Sequence, residues 1–316
     1  MVYNLWRTQK PTEPYEYYGR GVEELAKDAW AHPYPLTQTG ACARRDRAMP
    51  IRSQRLPMRF EDWELLPYQP GWKYEYWGGC AHITPNHQTA VTVAPVTPRP
   101  VTAPCIIRPA RPDDDTPLLA VYLSAFADNQ AFCDYTDEKM HDAARRDLRE
   151  SFTGRRAPLL AAARVAVATD APDAILVGAA LVSRDREYGP VLDLLFIHPT
   201  WHRRGLATAL VASAMNALHQ AGERTLTSVY QLANPTSQAW HRAFGFVELP
   251  DLRYAQAYYR CARQELFRHE QQGLLTAETR AALQAEVERW RAHVEELERL
   301  EEAQGYHAVF PRRPHW

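Results

Sequence analysis

The run His202-Arg203-Arg204-Gly205-Leu206-Ala207-Thr208 contains the residues best suited to binding an anion. It follows an apolar stretch, Val191 to Ile197, and a break at His198-Pro199, and it opens an amphipathic stretch from Leu206 to Leu218. Strand, small-residue turn and helix start come in that order. The first turn of a helix leaves N–H groups without intrahelical partners and carries a partial positive charge, so it can hold a phosphate. Gly205 lets the backbone come close to a ligand, and Ala207 adds little bulk. Arg203 and Arg204 bring formal charge and forked donors. Two further side chains are suited to proton chemistry. Asp193 is the one charged residue between Val191 and Ile197. A carboxylate in an apolar strand is costly unless it is paired or functional. His241 belongs to the residue type that titrates near neutrality.

The flanks of these residues carry a resemblance. The loop fits the pattern Gln/Arg-x-x-Gly-x-Gly/Ala, with His202 at the first position. Upstream, Leu192, Leu195, Ile197 and Pro199 fit Leu-x-x-Leu-x-Val-x-Pro. Downstream, Asn234, Ser237, Trp240, His241, Gly245 and Phe246 fall on Asn-x-x-Ala-x-x-Leu-Tyr-x-Lys-x-Gly-Phe. In this order and spacing the three segments resemble the GNAT acetyltransferase superfamily, over roughly residues 104–250, about half the chain. Two departures bear on the chemistry. His202 replaces the usual Gln or Arg, which matters little if the loop binds through backbone N–H groups. His241 replaces the Tyr that is the family's usual general acid.

The resemblance implies an α/β fold: a mixed, mostly antiparallel sheet flanked by helices. It implies acetyl-CoA, or a longer acyl-CoA, as donor, and direct transfer of the acyl group to an amine. Proximity of donor and nucleophile then supplies much of the acceleration. A base takes a proton from the ammonium and an acid protonates the leaving thiolate. The family's fourth strand splays from its neighbour, so backbone groups around Phe196 and Ile197 would bind the pantetheine arm and polarise the thioester carbonyl. Arg203, Arg204, Gly205, Leu206, Ala207 and Thr208 would hold the pyrophosphate. Asn234 matches the Asn that contacts the pantetheine or the following helix. Asp193 is then the base or the anchor for the substrate ammonium, or else a strand carboxylate paired with Arg184 or Arg186. Glu187 is an alternative base. His241 is the acid or merely packs against the CoA, with Tyr230 as its alternative. The loop Phe126 to Tyr135, including Asp128, Asn129, Gln130 and Phe132, falls where the family covers its acceptor pocket, and its aromatic and polar mix suits a small ligand.

These groups must be positioned by the elements between them. Residues 105–250 read as the GNAT-like domain. Strands are predicted at Cys105–Pro109, Leu159–Ala168, Ala174–Val182, Val191–Ile197, Thr225–Tyr230 and from Phe246. Helices are predicted at about Thr116–Ala127, with its N-cap in Asp113-Asp114-Asp115, at Asp137–Phe152, after Gly205 and at Pro235–Phe244. Residues 1–84 read as an irregular segment rich in Tyr, Trp and Pro, whose aromatics need burial against the domain or a partner. Residues 85–104, with Pro95, Pro98, Pro100 and Pro104, read as an extended linker. Residues 251–316 turn helical. Leu283, Val287, Trp290, Val294 and Leu297 form a short heptad seam, Gly273 breaks the run and Thr276 caps the second half, so a C-terminal helical hairpin is expected.

Composition bounds the rest. A formal net charge of −1 over 316 residues gives no sign of a polyanion partner, so no nucleic acid is expected. The five cysteines, Cys42, Cys80, Cys105, Cys133 and Cys261, are odd in number and scattered, which favours a reducing compartment over a disulfide framework. No run approaches the roughly 20 apolar residues of a membrane span, and Met1 to Lys10 lacks the apolar core of a signal peptide. No membrane partner and a cytoplasmic location are the expectation. Cys80, His82 and His87 fit no strong zinc spacing, so no metal is expected. The function expected is transfer of an acetyl group from acetyl-CoA to a small-molecule amine, or less readily to a protein amine. A non-catalytic acyl-CoA-binding or partner-binding module is the alternative, and a homodimer is left open.

Overall fold

A computed structural model describes residues 54–127, 129, 132, 135–154, 161–168, 175–186 and 188–305. In chain order the elements begin with β1 (Gln54–Pro57), α1 (Phe60–Glu64), β2 (Trp72–Trp77), β3 (Cys80–Pro85) and β4 (Thr89–Pro95). There follow β5 (Ile106–Pro109), α2 (Asp115–Phe126), α3 (Asp137–Phe152), β6 (Arg164–Ala168), β7 (Ile175–Asp185) and β8 (Gly189–Ile197). The chain continues through α4 (Leu206–Gln220), β9 (Thr225–Gln231), α5 (Pro235–Phe244), β10 (Val247–Leu249), α6 (Leu252–Gln271) and α7 (Ala277–Gln304).

Seven strands form the main sheet in the order β10-β4-β9-β8-β7-β6-β5. Its pairings are antiparallel except β8 with β9. This is the mixed, mostly antiparallel α/β architecture that the resemblance implies. One face is covered by α4. Leu206, Leu210, Val211, Ala214, Met215 and Leu218 bury against Ala166, Ala180, Val182, Leu192 and Ile197. These apolar positions recur at helical spacing, which makes one stripe and hence one buried face. The opposite face carries α2 and α3. There Leu118, Val121, Tyr122, Ala144 and Leu148 pack on Val165, Ala179, Leu181 and Phe196. The acidic triplet before α2 does not cap it through Asp114, whose carboxylate instead turns back to the Arg108 guanidinium and the Arg111 N–H.

Two expectations are corrected upstream. Within residues 1–84, the described part from 54 onward is not irregular: β1, β3 and β2 form an antiparallel three-stranded sheet. Trp77 pairs with Cys80 across Gly78-Gly79, both at positive φ, 60° and 70°. A two-residue turn of that hand suits the twist of a hairpin, and glycine adopts it without a Cβ clash. Residues 85–104 are not simply a linker. Thr89–Pro95 is a strand with β9 on one side and β10 on the other. Its alternation of Thr and Ala with Val suits a strand buried on both faces, and Ala90 to Ala94 are all buried. The prolines fall at its end and beyond, where no ladder N–H is needed.

The small sheet docks where β9 ends. Trp72 and Ile83 bury against Ala233, and a side chain at Gly71 would collide with the Leu232-Ala233 backbone. The C-terminal hairpin forms as expected. Thr276 caps α7 by accepting from the Thr279 N–H. Leu283, Trp290, Val294 and Leu297 are buried, with Trp290, Val294 and Leu297 packed on Ala255 and Ala262 of α6 in a cluster that reaches Ala90 and Tyr230 of the sheet.

Candidate active site

The candidate site lies where β8 and β9 part. Their parallel pairing consists of Val191 with Thr227 and Leu192 with Ser228, and no register continues past it. On its other edge β8 stays paired with β7 as far as Ile197. The backbone of Asp193 to Ile197 therefore has an edge turned to a fork rather than to a strand. At the mouth of that fork the register with β7 slips. Leu194 faces Leu181 and Leu192 faces Val182, leaving Asp193 as the extra residue of a β-bulge. A bulge re-aims side chains and shifts the alternation of faces. Leu192 and Ile197 lie against α4, while Leu194 and Phe196 lie against α2 and α3. Asp193 is half-buried. Of its two expected cationic partners, Arg184 is bridged to Glu223.

The expected anion loop closes the same end of β8. Gly205 is the N-cap of α4 at φ 74°, ψ 5°, and no side chain caps the helix. A Cβ at Gly205 would meet nothing within 4 Å, so the backbone there is open to a ligand. Arg203 is left-handed as well, at φ 60°. Successive amides around left-handed residues form anion-binding concavities, which adds to the helix start that follows. Arg203, Arg204, Gly205 and Thr208 are exposed, Ala207 is half-buried, and Leu206 is anchored in the core. Arg204 stacks over the Trp201 ring at 4.9 Å. His202 donates from Nε2 to the Ile197 carbonyl oxygen at 2.9 Å, tying the loop to the end of β8. Thr208 accepts from Trp240 Nε1 at 3.3 Å, which bridges α4 to α5.

On the β9 side Asn234 caps α5. Its Oδ1 accepts from the Ser237 N–H at 3.0 Å, so its observed contact is with the following helix. His241, on α5, is 5% exposed. Its Nδ1 lies 2.7 Å from the Ser237 carbonyl oxygen and its Nε2 lies 2.9 Å from Ser228 Oγ. Burial lowers its pKa below the ordinary histidine value, and the Ser237 carbonyl and Glu248 charge oppose this without reversing it. Tyr230, the alternative acid, is also buried, at 4% exposed. Its hydroxyl is committed to Glu248, and burial together with that charge pushes its pKa up.

The roof over the α2 side of the fork is aromatic. The ring of Phe196 meets Tyr122 at 5.5 Å and Phe126 at 6.1 Å, and Phe126 meets Phe132 at 5.8 Å. The structure thus brings Phe126 and Phe132 of the expected acceptor loop onto the strand that bears Asp193. Glu187, Asp128, Gln130 and Cys133 lie outside the described residues. Ser228 was missed from the sequence, because nothing in Thr-Leu-Thr-Ser-Val-Tyr-Gln separates it from an ordinary strand serine until His241 is placed beside it. Among the described residues no three His, Cys, Asp or Glu side chains group as metal ligands, and no helix is long and apolar enough to cross a membrane.

Residues 133–261 match the family model described as an acetyltransferase (GNAT) domain. The resemblance carried by the loop and its flanks is borne out, and the chain contains a GNAT acetyltransferase domain over those residues. Several solved structures are similar. One is an aminoglycoside N-acetyltransferase, AAC(6')-Iy, in complex with CoA, at 21% identity over 47% of this chain and 90% of that one, with a TM-score of 0.34. Another is the PaiA N-acetyltransferase of Thermoplasma acidophilum in complex with coenzyme A, at 15% identity over 37% and 73%, TM-score 0.29. A third is a GCN5-related N-acetyltransferase of Rhodopseudomonas palustris, at 20% identity over 39% and 71%, TM-score 0.28. No curated protein matches the chain.

Proposed function

We propose that the protein is an N-acyltransferase that moves an acetyl group from acetyl-CoA to the amine of a small molecule. The observation that carries this reading is the meeting of two features at one end of β8. The strand forks from β9 with a carboxylate-bearing bulge at Asp193, and the loop after it opens into the uncapped start of α4 at Gly205. The two suit the two ends of a thioester donor. The amides of Leu206, Ala207 and Thr208, with Arg203 and Arg204 alongside, fit the pyrophosphate. The open edge of β8 around Phe196 and Ile197 fits the pantetheine amides and the thioester carbonyl. Asp193 is assigned to the acceptor, as anchor for its ammonium and as the base that takes the first proton. Phe126, Phe132 and Phe196 exclude water from that side.

Release of free CoA from acetyl-CoA, followed with a thiol reagent across a panel of primary amines, tests the reading. Amine-dependent release is the expected result. Tight acetyl-CoA binding by calorimetry without release for any amine would instead establish a binding module.

A further inference from the structure

We infer that Ser228 and His241 form a proton shuttle at the fork, with Ser228 the group that meets the sulfur of the donor and His241 the proton acceptor behind it. This rests on the acyl-transfer reading above. Ser228 is the β9 residue opposite Leu192 in the last step of the parallel ladder, so it stands where the two strands separate. Its Oγ is 2.9 Å from His241 Nε2, and the two residues are 2% and 5% exposed.

The tautomer follows from the other nitrogen. A carbonyl oxygen only accepts, so Nδ1, 2.7 Å from the Ser237 oxygen, carries the ring proton. In the neutral ring Nε2 then holds a lone pair, and the Ser228 hydroxyl donates to it. His241 in this state has no proton to give at Nε2. It is a base first and an acid second, the reverse of what its place in the sequence motif suggests. The charged and titratable groups at it are Tyr230 on β9, whose ring centroid is 5.1 Å away, and Glu248 on β10, while Arg242, next on α5, pairs with Glu248. Glu248 favours the protonated ring, but burial outweighs it and keeps the ring neutral.

The step balances as follows. Asp193 takes the first proton of the acceptor ammonium, leaving a neutral amine. As the amine nitrogen bonds to the thioester carbon, its next proton passes to Ser228 Oγ while the proton of Ser228 passes to Nε2. The ring is then an imidazolium with Nδ1–H held by Ser237 and Nε2–H held by Ser228. When the C–S bond breaks, its electron pair leaves on sulfur. Ser228 gives its proton to the sulfur and takes one back from Nε2. An amide, a thiol and the original neutral pair remain. Burial keeps this proton from exchanging with bulk water during the transfer.

Nitrogen NMR of the histidine-labelled full-length protein and steady-state kinetics test the shuttle together. The expected spectrum at pH 7 shows His241 protonated at Nδ1 and bare at Nε2, with titration below the ordinary value of about 6.5. Ser228→Ala is expected to lower kcat on the order of 100-fold with KM for acetyl-CoA little changed, and Ser228→Thr, which keeps the hydroxyl, to restore most of it. The part of the acid-side fall of kcat that is set by the neutral ring should be lost from the residual activity of His241→Gln, leaving only the part set by ionisation of Asp193. A proton on Nε2 at pH 7, full kcat in Ser228→Ala, or an acid limb of kcat unchanged in His241→Gln overturns the shuttle and leaves acyl transfer standing. Failure of every amine to elicit CoA release from the unaltered protein overturns acyl transfer and the shuttle with it.

Discussion

An added side chain at Gly205 would meet no neighbour, yet φ is 74° there. A non-glycine residue in the left-handed region costs about 1–2 kcal/mol, so a substitution at Gly205 mixes strain with whatever its side chain does to a ligand. A pair of variants separates the two. Gly205→Ala carries the strain alone and should weaken acetyl-CoA binding modestly. Gly205→Glu adds a carboxylate to the anion space and should abolish binding in calorimetry while the protein stays folded. Equal affinities for the two variants would remove the phosphate from this loop. Asp193 allows a similarly sharp experiment. Asp193→Asn keeps shape and loses charge and proton acceptance, so donor affinity should hold while turnover drops on the order of 100- to 10,000-fold. A strand carboxylate with a purely structural part would instead change the melting temperature and leave the turnover of the folded fraction intact. Gly205 was legible in the sequence because its proposed role rests on a backbone conformation that its own residue type announces. Ser228 was not, because the role proposed for it exists only through the hydrogen bond to His241, thirteen residues away on another element.

The bulge at Asp193 shows what an element adds to a residue. A strict alternation from Val191 to Ile197 would keep Leu192 and Leu194 on one face, but they lie on opposite faces because one residue is inserted between them. A one-residue slip exchanges faces downstream. The apolar run showed a strand and gave no sign of the insertion, since Leu and Phe suit either face. β4 taught the opposite lesson. Its pattern was readable, but the prolines that follow it dominated the composition of the stretch. Two truncations follow from its place between β9 and β10. Removing residues 1–84 leaves β4 and every proposed donor contact, so acetyl-CoA binding should survive, with a lower melting temperature from loss of the Trp72–Ala233 packing. Removing residues 1–104 also takes β4 and leaves the facing edges of β9 and β10 without a ladder. That variant should be recovered insoluble. A soluble, folded product with bound acetyl-CoA would show that β4 is an accessory strand.

Across the whole molecule the C-terminal hairpin is joined to the site by one polar cluster. Glu248 on β10 accepts from Tyr230 on β9, Arg242 and Gln238 on α5 and Tyr254 on α6, and Gln238 also donates to Tyr258 at 2.8 Å. The heptad seam predicted the hairpin, because apolar spacing within a helix is a local signal. The cluster was not legible, since its members come from four elements and each alone is an ordinary surface residue type. Its energetics are testable by pH. Burial pushes the Glu248 carboxyl up, but the Arg242 charge and the hydroxyls of Tyr230 and Tyr254 outweigh it, and the net shift is downward. The folded state thus binds this proton less readily than the unfolded chain. The stability it contributes is fully present above the ordinary glutamate value of about 4.3 and is lost as pH falls through the lowered folded-state value. Glu248→Gln keeps the shape but leaves Arg242 without its carboxylate, so stability at pH 7 should fall by about 1–3 kcal/mol. The difference between the two proteins should shrink as the pH is taken down through the acid range, where Glu248 is itself neutral. Denaturant unfolding of both proteins from pH 7 to pH 3 measures this. A gap that stays constant over that range would show that shape, and not the charge of Glu248, holds α5, β10 and α6 together.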